Sequence, residues 1–354
     1  MLLIMVRDGL TMRTLSDSDA AEAYAAVDGC RGYLRRWLPW VDATDSPEAL
    51  AAVIRRWGVS YRFGHDVALG IFMGGSYVGN IGLHDMGRPN RSGMIGYWLA
   101  EGAQGRGVMT DCVRALAGYG FHWLGLNRIY VNCAEGNGRS RAVPLRLGFT
   151  EEGTLQDGEH LYGTFHDLKV YGTVARNWPH EGPFFIVAPE ARDKAKAMGL
   201  RDEFLSVGET WIHGGSGLSD VGPDGYEDWV GDVARFREEA PEGRVEASTY
   251  LAAQGGRPVG TVQVRHRLND ALLCSGGHVG FAVRPSERRK GYATKTLTLA
   301  LAKCRAMGIG SALVTCDKDN AGSAATIRRC GGVLEDERIG AGGKATQRYW
   351  VRVV

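Results

Sequence analysis

The chain has 354 residues, enough for two cores of ordinary domain size, and its 44% hydrophobic and 23% charged content is that of a globular protein. A formal net charge of +2 speaks against broad affinity for nucleic acid or membrane surfaces. No apolar run approaches the ~18 residues of a membrane span, and the opening Met1-Leu2-Leu3-Ile4-Met5 is too short for the apolar core of a secretion signal. Seven cysteines without a C-x-x-C pair read as free thiols in a reducing, cytoplasmic compartment, with no metal site expected.

In chain order, Leu10 to Leu15 reads as a first strand, and Ser16, Asp17 and Asp19 suit the N-terminus of a helix over Ala20 to Val27. Tyr33 to Val41 is aromatic and broken by Pro39, and Pro47 to Phe63 has helical periodicity. Strand-like alternation follows at Asp66 to Phe72, Ser76 to His84 and Gly93 to Leu99, with a hairpin turn at Gly74-Gly75. A Gly-rich loop then opens an amphipathic helix, Val113 to Trp123. Arg128 to Ala134 reads as a strand, Ser140 to Leu147 as a short helix, and Glu151 to Leu155 and Phe165 to Val174 as closing strands. Two prolines and a glycine in Asn177 to Pro183 mark a linker.

The order then repeats. Phe184 to Ala188 is a strand, Glu190 to Val207 a helix, Ile212 to Gly225 a long polar loop and Asp228 to Glu238 a helix. Strands at Ala247 to Ala253, Pro258 to Arg267 and Gly277 to Val283 lead into a second loop and a helix over Leu297 to Met307. Ala312 to Asp317, a helix over Ser323 to Arg329 and a last strand pair ending at Tyr349 to Val353 complete it. Each half is a mixed, mostly antiparallel sheet flanked by helices, so the expected class is α/β, α+β mixed.

The two loops are Gln104-Gly105-Arg106-Gly107-Val108-Met109 and Arg288-Arg289-Lys290-Gly291-Tyr292-Ala293. A Gly-rich turn between strand and helix turns free backbone N–H groups outward at the positive end of the helix dipole, which is a seat for phosphate. Gly96 and Gly280, like Gly107 and Gly291, lie 184 positions apart; Cys133 and Cys316, Asn137 and Asn320, and Ser140 and Ser323 lie 183 apart. One plan is used twice, with one residue of slippage. The halves are therefore taken as two domains, residues 1–179 and 180–354.

These residues resemble the GNAT superfamily of N-acetyltransferases in both halves. The family's loop pattern, Gln/Arg-x-x-Gly-x-Gly/Ala, is matched fully by Arg288, Gly291 and Ala293; the first half matches at Gln104 and Gly107 and departs at Met109. The first half is most similar to the RimJ/RimL-type branch, through Tyr33 to Trp40, Ile95 to Leu99, Gly125 to Arg128, Asn137-x-x-Ser140 and Arg146 to Phe149. The second is similar to a less characterised bacterial group, through Ile212 to Gly217, Arg265 to Asn269 and Thr315 to Asn320. The resemblance implies acetyl-CoA, its pyrophosphate on the loops and its pantetheine along the strand edges at Trp98, Leu99, Ala282 and Val283, with Asn137 and Asn320 close by. A strand N–H near Leu99 or Val283 can polarise the thioester carbonyl.

Catalytic candidates follow from the same likeness. In the RimJ/RimL-like branch the serine at Ser140 is the candidate proton donor to the CoA sulfur, against the plainer reading of a helix cap. Ser323 inherits that role by the repeat, and Tyr349 competes as a phenolic donor or as sheet packing. The family often places a glutamate two residues before the strand glycine as base. Met94 stands there in the first half, leaving His84 and Asp85 as replacements, while the second half has His278. Trp37 and Trp40 are candidates for the acceptor wall, and Arg265, His266 and Arg267 for an anionic group of the acceptor. The expected activity is acetyl transfer to a primary amine, of a small antibiotic-like molecule or biosynthetic intermediate first and of a protein N-terminus second. The alternatives are a non-catalytic ligand-binding half and transfer from an aminoacyl-tRNA or carrier. With the complete loop and His278, the second half is expected to carry most turnover.

Overall fold

The computed structural model of the chain describes residues 1–87, 89–339 and 343–353. It divides into two compact units, Leu3–Pro183 and the chain from Phe184 onward. The first unit contains strands β1 (Leu2–Arg7), β2 (Leu10–Arg13), β3 (Val67–Met73), β4 (Ser76–Gly87), β5 (Ser92–Leu99), β6 (Arg128–Ala134), β7 (Thr150–Leu161) and β8 (Thr164–Val174). Its helices are α1 (Ala20–Asp28), α2 (Arg31–Leu34), α3 (Pro47–Arg62), α4 (Val108–His122) and α5 (Gly138–Arg146). The strands lie in the order β1-β2-β3-β4-β5-β6-β8-β7. Among the described residues only β5 and β6 pair in parallel in this unit.

That parallel pair shapes the unit. Ser92–Met94 pair with Arg128–Tyr130 and the pairing then stops, although β5 runs on to Leu99 and β6 to Ala134. The strands part, and the edge of β5 facing the gap keeps its backbone groups free for a ligand. Opposite the gap, α4 packs on the sheet with Cys112, Val113, Leu116 and Tyr119 all fully buried. Gly120 permits the close approach, since a Cβ there would stand 2.9 Å from Ile129 Cδ1 and 3.2 Å from Leu83 Cδ1. Leu116→Ala is expected to cost roughly 2–5 kcal/mol in urea unfolding. A loss below about 1 kcal/mol would mean that the helix is loosely seated.

The second unit repeats the plan with β9 (Phe184–Val187), β10 (Ala247–Gln254), β11 (Arg257–Arg265), β12 (Val279–Val283), β13 (Ser311–Asp317), β14 (Gly332–Ile339) and β15 (Ala345–Arg352). Its helices are α6 (Lys194–Ser206), α7 (Tyr226–Arg235), α8 (Tyr292–Ala306) and α9 (Ala321–Arg329). The order is β9-β10-β11-β12-β13-β15-β14, again with one parallel pair, β12 and β13, in register only at Val279 and Val314. The strand splay is therefore present in both units.

Glu203 on α6 anchors the turn that follows β12. Its carboxylate accepts from the Ser286 N–H at 2.8 Å and pairs with the Arg284 guanidinium. Burial opposes its ionisation, but the Ser286 and Arg284 hydrogen bonds and the Arg284 charge outweigh it and hold the carboxyl at about 2, below its ordinary 4.5. A carboxyl depressed on folding stabilises above its unfolded value and loses that contribution as pH falls through the folded one. Glu203→Gln should therefore melt below the wild type at pH 7, with the gap closing between about 4.5 and about 2 in calorimetric scans. A gap that persists unchanged at the acid end would reject the ion-pair account.

Candidate active site

In the first unit β5 ends at Leu99, and the chain turns through Glu101–Ala103 into the Gly-rich loop. Gln104 Nε2 donates to the Leu99 carbonyl at 3.1 Å and Arg139 donates to Gln104 Oε1 at 3.1 Å, so the side chain at the first motif position ties the loop to the strand end. Gly105 and Gly107 both have left-handed backbone, φ 74° and 73°. Gly107 caps α4 without a side chain, leaving the N–H groups of Val108, Met109 and Thr110 for a ligand. Their shared concavity suits pyrophosphate. Asp111, in the first turn of the helix, would repel that group, but Arg7 at 3.0 Å and Arg114 at 2.7 Å offset its charge.

A cavity of about 1010 Å³ joins this loop to the strand splay; Trp98, Leu99, Gln104, Gly105, Gly107, Val108, Met109 and Asn137 all line it, and Arg106 does not. Asn137 caps α5, accepting from the Ser140 N–H at 3.2 Å. Ser140 Oγ lies 3.2 Å from Cys133 Sγ and donates to the Tyr97 hydroxyl at 3.3 Å, while that hydroxyl donates to the Ser140 carbonyl at 2.9 Å. Burial pushes both the Tyr97 phenol and the Cys133 thiol above their ordinary values, so both stay protonated near neutral pH. Ser140, Tyr97 and Cys133 thus form a cluster of proton-bearing groups on the cavity wall.

Glu159 on β7 also lines the cavity and was not among the sequence candidates. Burial raises its carboxyl, and the charge of His166, its cross-strand partner, draws it part of the way back. Asn132 is a second lining residue that sequence reasoning missed. Its Oδ1 is buried and has no hydrogen-bond partner among the described residues, and its Nδ2 faces Met94 Sδ at 3.8 Å.

Trp37 lines the cavity, whereas Trp40 is 37% exposed and meets it only through Trp98, at 6.2 Å between ring centroids. His84 lies outside the lining: its ring covers Gly82 and Gly96, and its Nδ1 is 3.5 Å from Asp66. Asp85 is exposed, with left-handed backbone (φ 52°) at the irregularity near the end of β4. Neither is among the groups gathered at the splay.

The second unit keeps the loop geometry. Arg288 Nε donates to the Val283 carbonyl at 3.1 Å, as Gln104 does to Leu99, and Arg289 and Gly291 take the left-handed conformations of Gly105 and Gly107, φ 65° and 82°. Its surroundings differ. Arg288 is also paired with Glu209 at 2.7 Å, Lys290 with Glu287 at 2.9 Å, and Tyr292 stacks on Phe184 at 5.9 Å. A cavity of about 600 Å³ at the β12–β13 splay is lined by Asn320 and Ser323 but by no residue from Arg288 to Ala293, nor by Ala282 or Val283. Asn320 caps α9 through the Ser323 N–H at 3.0 Å. Phe281 stands where the first unit has Tyr97, so the phenol is missing beside Ser323.

The remaining candidates of this unit are dispersed. His278 is buried, its Nδ1 accepts the Leu313 N–H at 2.9 Å, and it is not part of the cavity lining. Burial first and the Arg265 charge second push it toward the neutral form. Tyr349 is fully buried, donating to Gln347 at 2.7 Å and accepting from Arg328 at 3.1 Å, away from the cavity lining. Arg267 is paired with Glu246 at 2.8 Å and His266 with Ser248 at 2.9 Å; of the three basic candidates only Arg265 lines the cavity. Among the described residues no cluster of ligating side chains could hold a metal, and no helix is long and apolar enough to cross a membrane.

Two family models match the chain, an acetyltransferase (GNAT) domain over residues 9–150 and the acetyltransferase (GNAT) family over residues 220–331. A Bacillus subtilis protein named "Putative ribosomal N-acetyltransferase YdaF" is 35% identical over 182 residues, 51% of this chain and 100% of its own length. The Escherichia coli ribosomal-protein-serine acetyltransferase is 25% identical over 171 residues, 48% of this chain and 96% of its own. Among solved structures, RimL, a ribosomal L7/L12 alpha-N-protein acetyltransferase in complex with coenzyme A, is 26% identical with a TM-score of 0.47, over 49% of this chain and 97% of that one.

Proposed function

We propose, for a chain that belongs to the GNAT family of acetyltransferases in both halves, that the first unit carries turnover and that its acceptor is the α-amino group of a protein N-terminus. The chain is an N-acetyltransferase that uses acetyl-CoA. The supporting observation is the convergence in one cavity of the α4 N-terminus, the Ser140–Tyr97 pair and Glu159. Open space at the absent Cβ of Gly105, the free N–H groups beyond Gly107 and the unpaired edge of β5 fit the cofactor's pyrophosphate and amide chain. Acetyl-CoA supplies the activated acyl group as a thioester.

The chain's own residues then manage protons. An amine attacks only when neutral, and Glu159, its affinity for a proton raised by burial, is the group placed to take that proton. Ser140, held by its cap and by Tyr97, presents a hydroxyl that can give a proton to a departing sulfur. A protein α-amine titrates near ~8, more than two units below a lysine, so one moderately basic carboxylate suffices for it. The names of the two relatives, a putative ribosomal N-acetyltransferase and a ribosomal-protein-serine acetyltransferase, support the same choice. The test is thiol release from acetyl-CoA with N-terminal peptides of ribosomal proteins against the same peptides blocked at the N-terminus and against small-molecule amines. Equal rates with blocked peptides, or transfer to small amines alone, would reject the N-terminal acceptor.

A further inference from the structure

The cavity of the second unit holds a guanidinium with no counter-ion. Arg265 is the last residue of β11, half-buried, and its Nη1 donates to the carbonyls of Gly276 at 2.8 Å and Gly277 at 3.1 Å. Those two bonds fix the plane of the fork and leave the Nη2 side unused. Nη2 lies 3.4 Å from where a Cβ on Gly280 would stand, so the absent side chain at the strand glycine makes its room. No carboxylate lies within ion-pair distance of Arg265 among the described residues. Burial alone pushes its proton affinity down. A desolvated cation without a partner is costly unless a ligand supplies the charge.

A second donor faces the same space. Ser216, in the left-handed region at φ 52°, accepts from Gln263 Nε2 at 2.7 Å and from Thr249 Oγ1 at 3.1 Å. With both acceptor sites filled, its own O–H is what remains to be used, and it finds no acceptor among the described residues. The lining carboxylates do not neutralise Arg265: Asp317 is 3.9 Å from Lys344 and Asp220 is exposed, while Arg244, also exposed, adds a second positive charge. Trp211, Phe236, Leu272 and Phe281 supply apolar wall.

We propose that the second unit is a binding site for a small carboxylate with an apolar body, the carboxylate held by the free edge of Arg265 and the Ser216 hydroxyl. One half-buried cation and one hydroxyl match a singly charged planar anion better than a phosphate, the second lining cation, Arg244, being exposed. The carboxylate follows from Arg265 itself and does not depend on which unit carries turnover.

The experiment is titration calorimetry of the full chain with the apolar L-amino acids and with their matched carboxamides. Carboxylates should bind and carboxamides should not. Arg265→Met should weaken carboxylate binding by about 30-fold or more, the usual result of truncating one member of a buried charge pair. Ser216→Ala, which leaves the backbone carbonyl bonds of Arg265 in place, should weaken it less, and covers the case in which Arg265→Met does not fold. Equal binding of acids and amides, binding indifferent to both substitutions, no binding across the whole panel, or Arg265-dependent binding of phosphoethanolamine in place of the carboxylates would each overturn the proposal. Acetyl-CoA titrated into the same samples reports separately on the proposed function: heat from acetyl-CoA with no carboxylate response fails this inference alone, and no heat from acetyl-CoA fails the functional reading.

Discussion

Gly107→Glu is expected to abolish acetyl transfer, while Gly291→Glu leaves most of it. Both glycines cap the helix after the Gly-rich loop in the left-handed conformation, so each substitution places a carboxylate against an anion seat. A like-charge contact of this kind costs several kcal/mol, or on the order of 100-fold and more in affinity. The two differ in what the loop serves. The first opens into the cavity that holds Ser140, Tyr97 and Glu159; the second borders no part of the cavity that holds Ser323. Left-handed glutamate also costs about 1–2 kcal/mol of stability, so Gly107→Asn, uncharged and tolerant of that conformation, serves as the control and should keep far more activity. Circular dichroism checks that each variant is folded. Loss of turnover in Gly291→Glu with retention in Gly107→Glu would make the second unit the catalyst, the assignment that motif completeness alone favours.

The contrast shows where sequence reading holds and where it stops. The paired loops are legible because Gly107 and Gly291 answer a local backbone demand, and the side chains five residues past the strand ends, Gln104 and Arg288, make the same bond to the strand carbonyl. The helices after them are legible as helices but not at their starts: apolar periodicity points to Val113 and Leu297, whereas α4 and α8 begin at Val108 and Tyr292, directly from the capping glycine. An anion-binding helix start carries no Ser or Asp cap, so the usual start signal is missing. β1 carries no clear strand signal, because five apolar residues without alternation fit several structures. His278 occupies the family's base position, but its role depends on the Leu313 N–H bound to its ring, a tertiary contact with no local trace. Arg265, His266 and Arg267 looked equivalent; Glu246 and Ser248 engage two of them and leave the first.

Glu159 leaves no local sequence signal, because an irregularity carries its strand past a turn-like segment. The expected strand ends at Leu155; the Gln156-Asp157-Gly158 that follows has turn-like composition, and Asp157 takes a left-handed backbone, φ 49°. The structure shows an irregularity inside β7, with the register shifting between Leu155 and Glu159, after which the strand continues to Leu161. Such bulges re-aim side chains next to binding sites, and this one brings Glu159 to the cavity wall. Glu159→Gln should lower kcat/KM by about 10²–10⁴-fold with acetyl-CoA affinity intact, the usual loss for a general base. A base works only when deprotonated, so wild-type activity must fall as pH drops through the raised value of this carboxyl. Glu159→Gln should lose that acid limb and keep the one set by the amine. His166→Gln removes the charge that partly offsets burial, so it should move the limb to higher pH. A Glu159→Gln enzyme with the wild-type rate and pH profile would exclude this residue as the base and return the role to the acceptor's own ionisation or to a water held by Asn132.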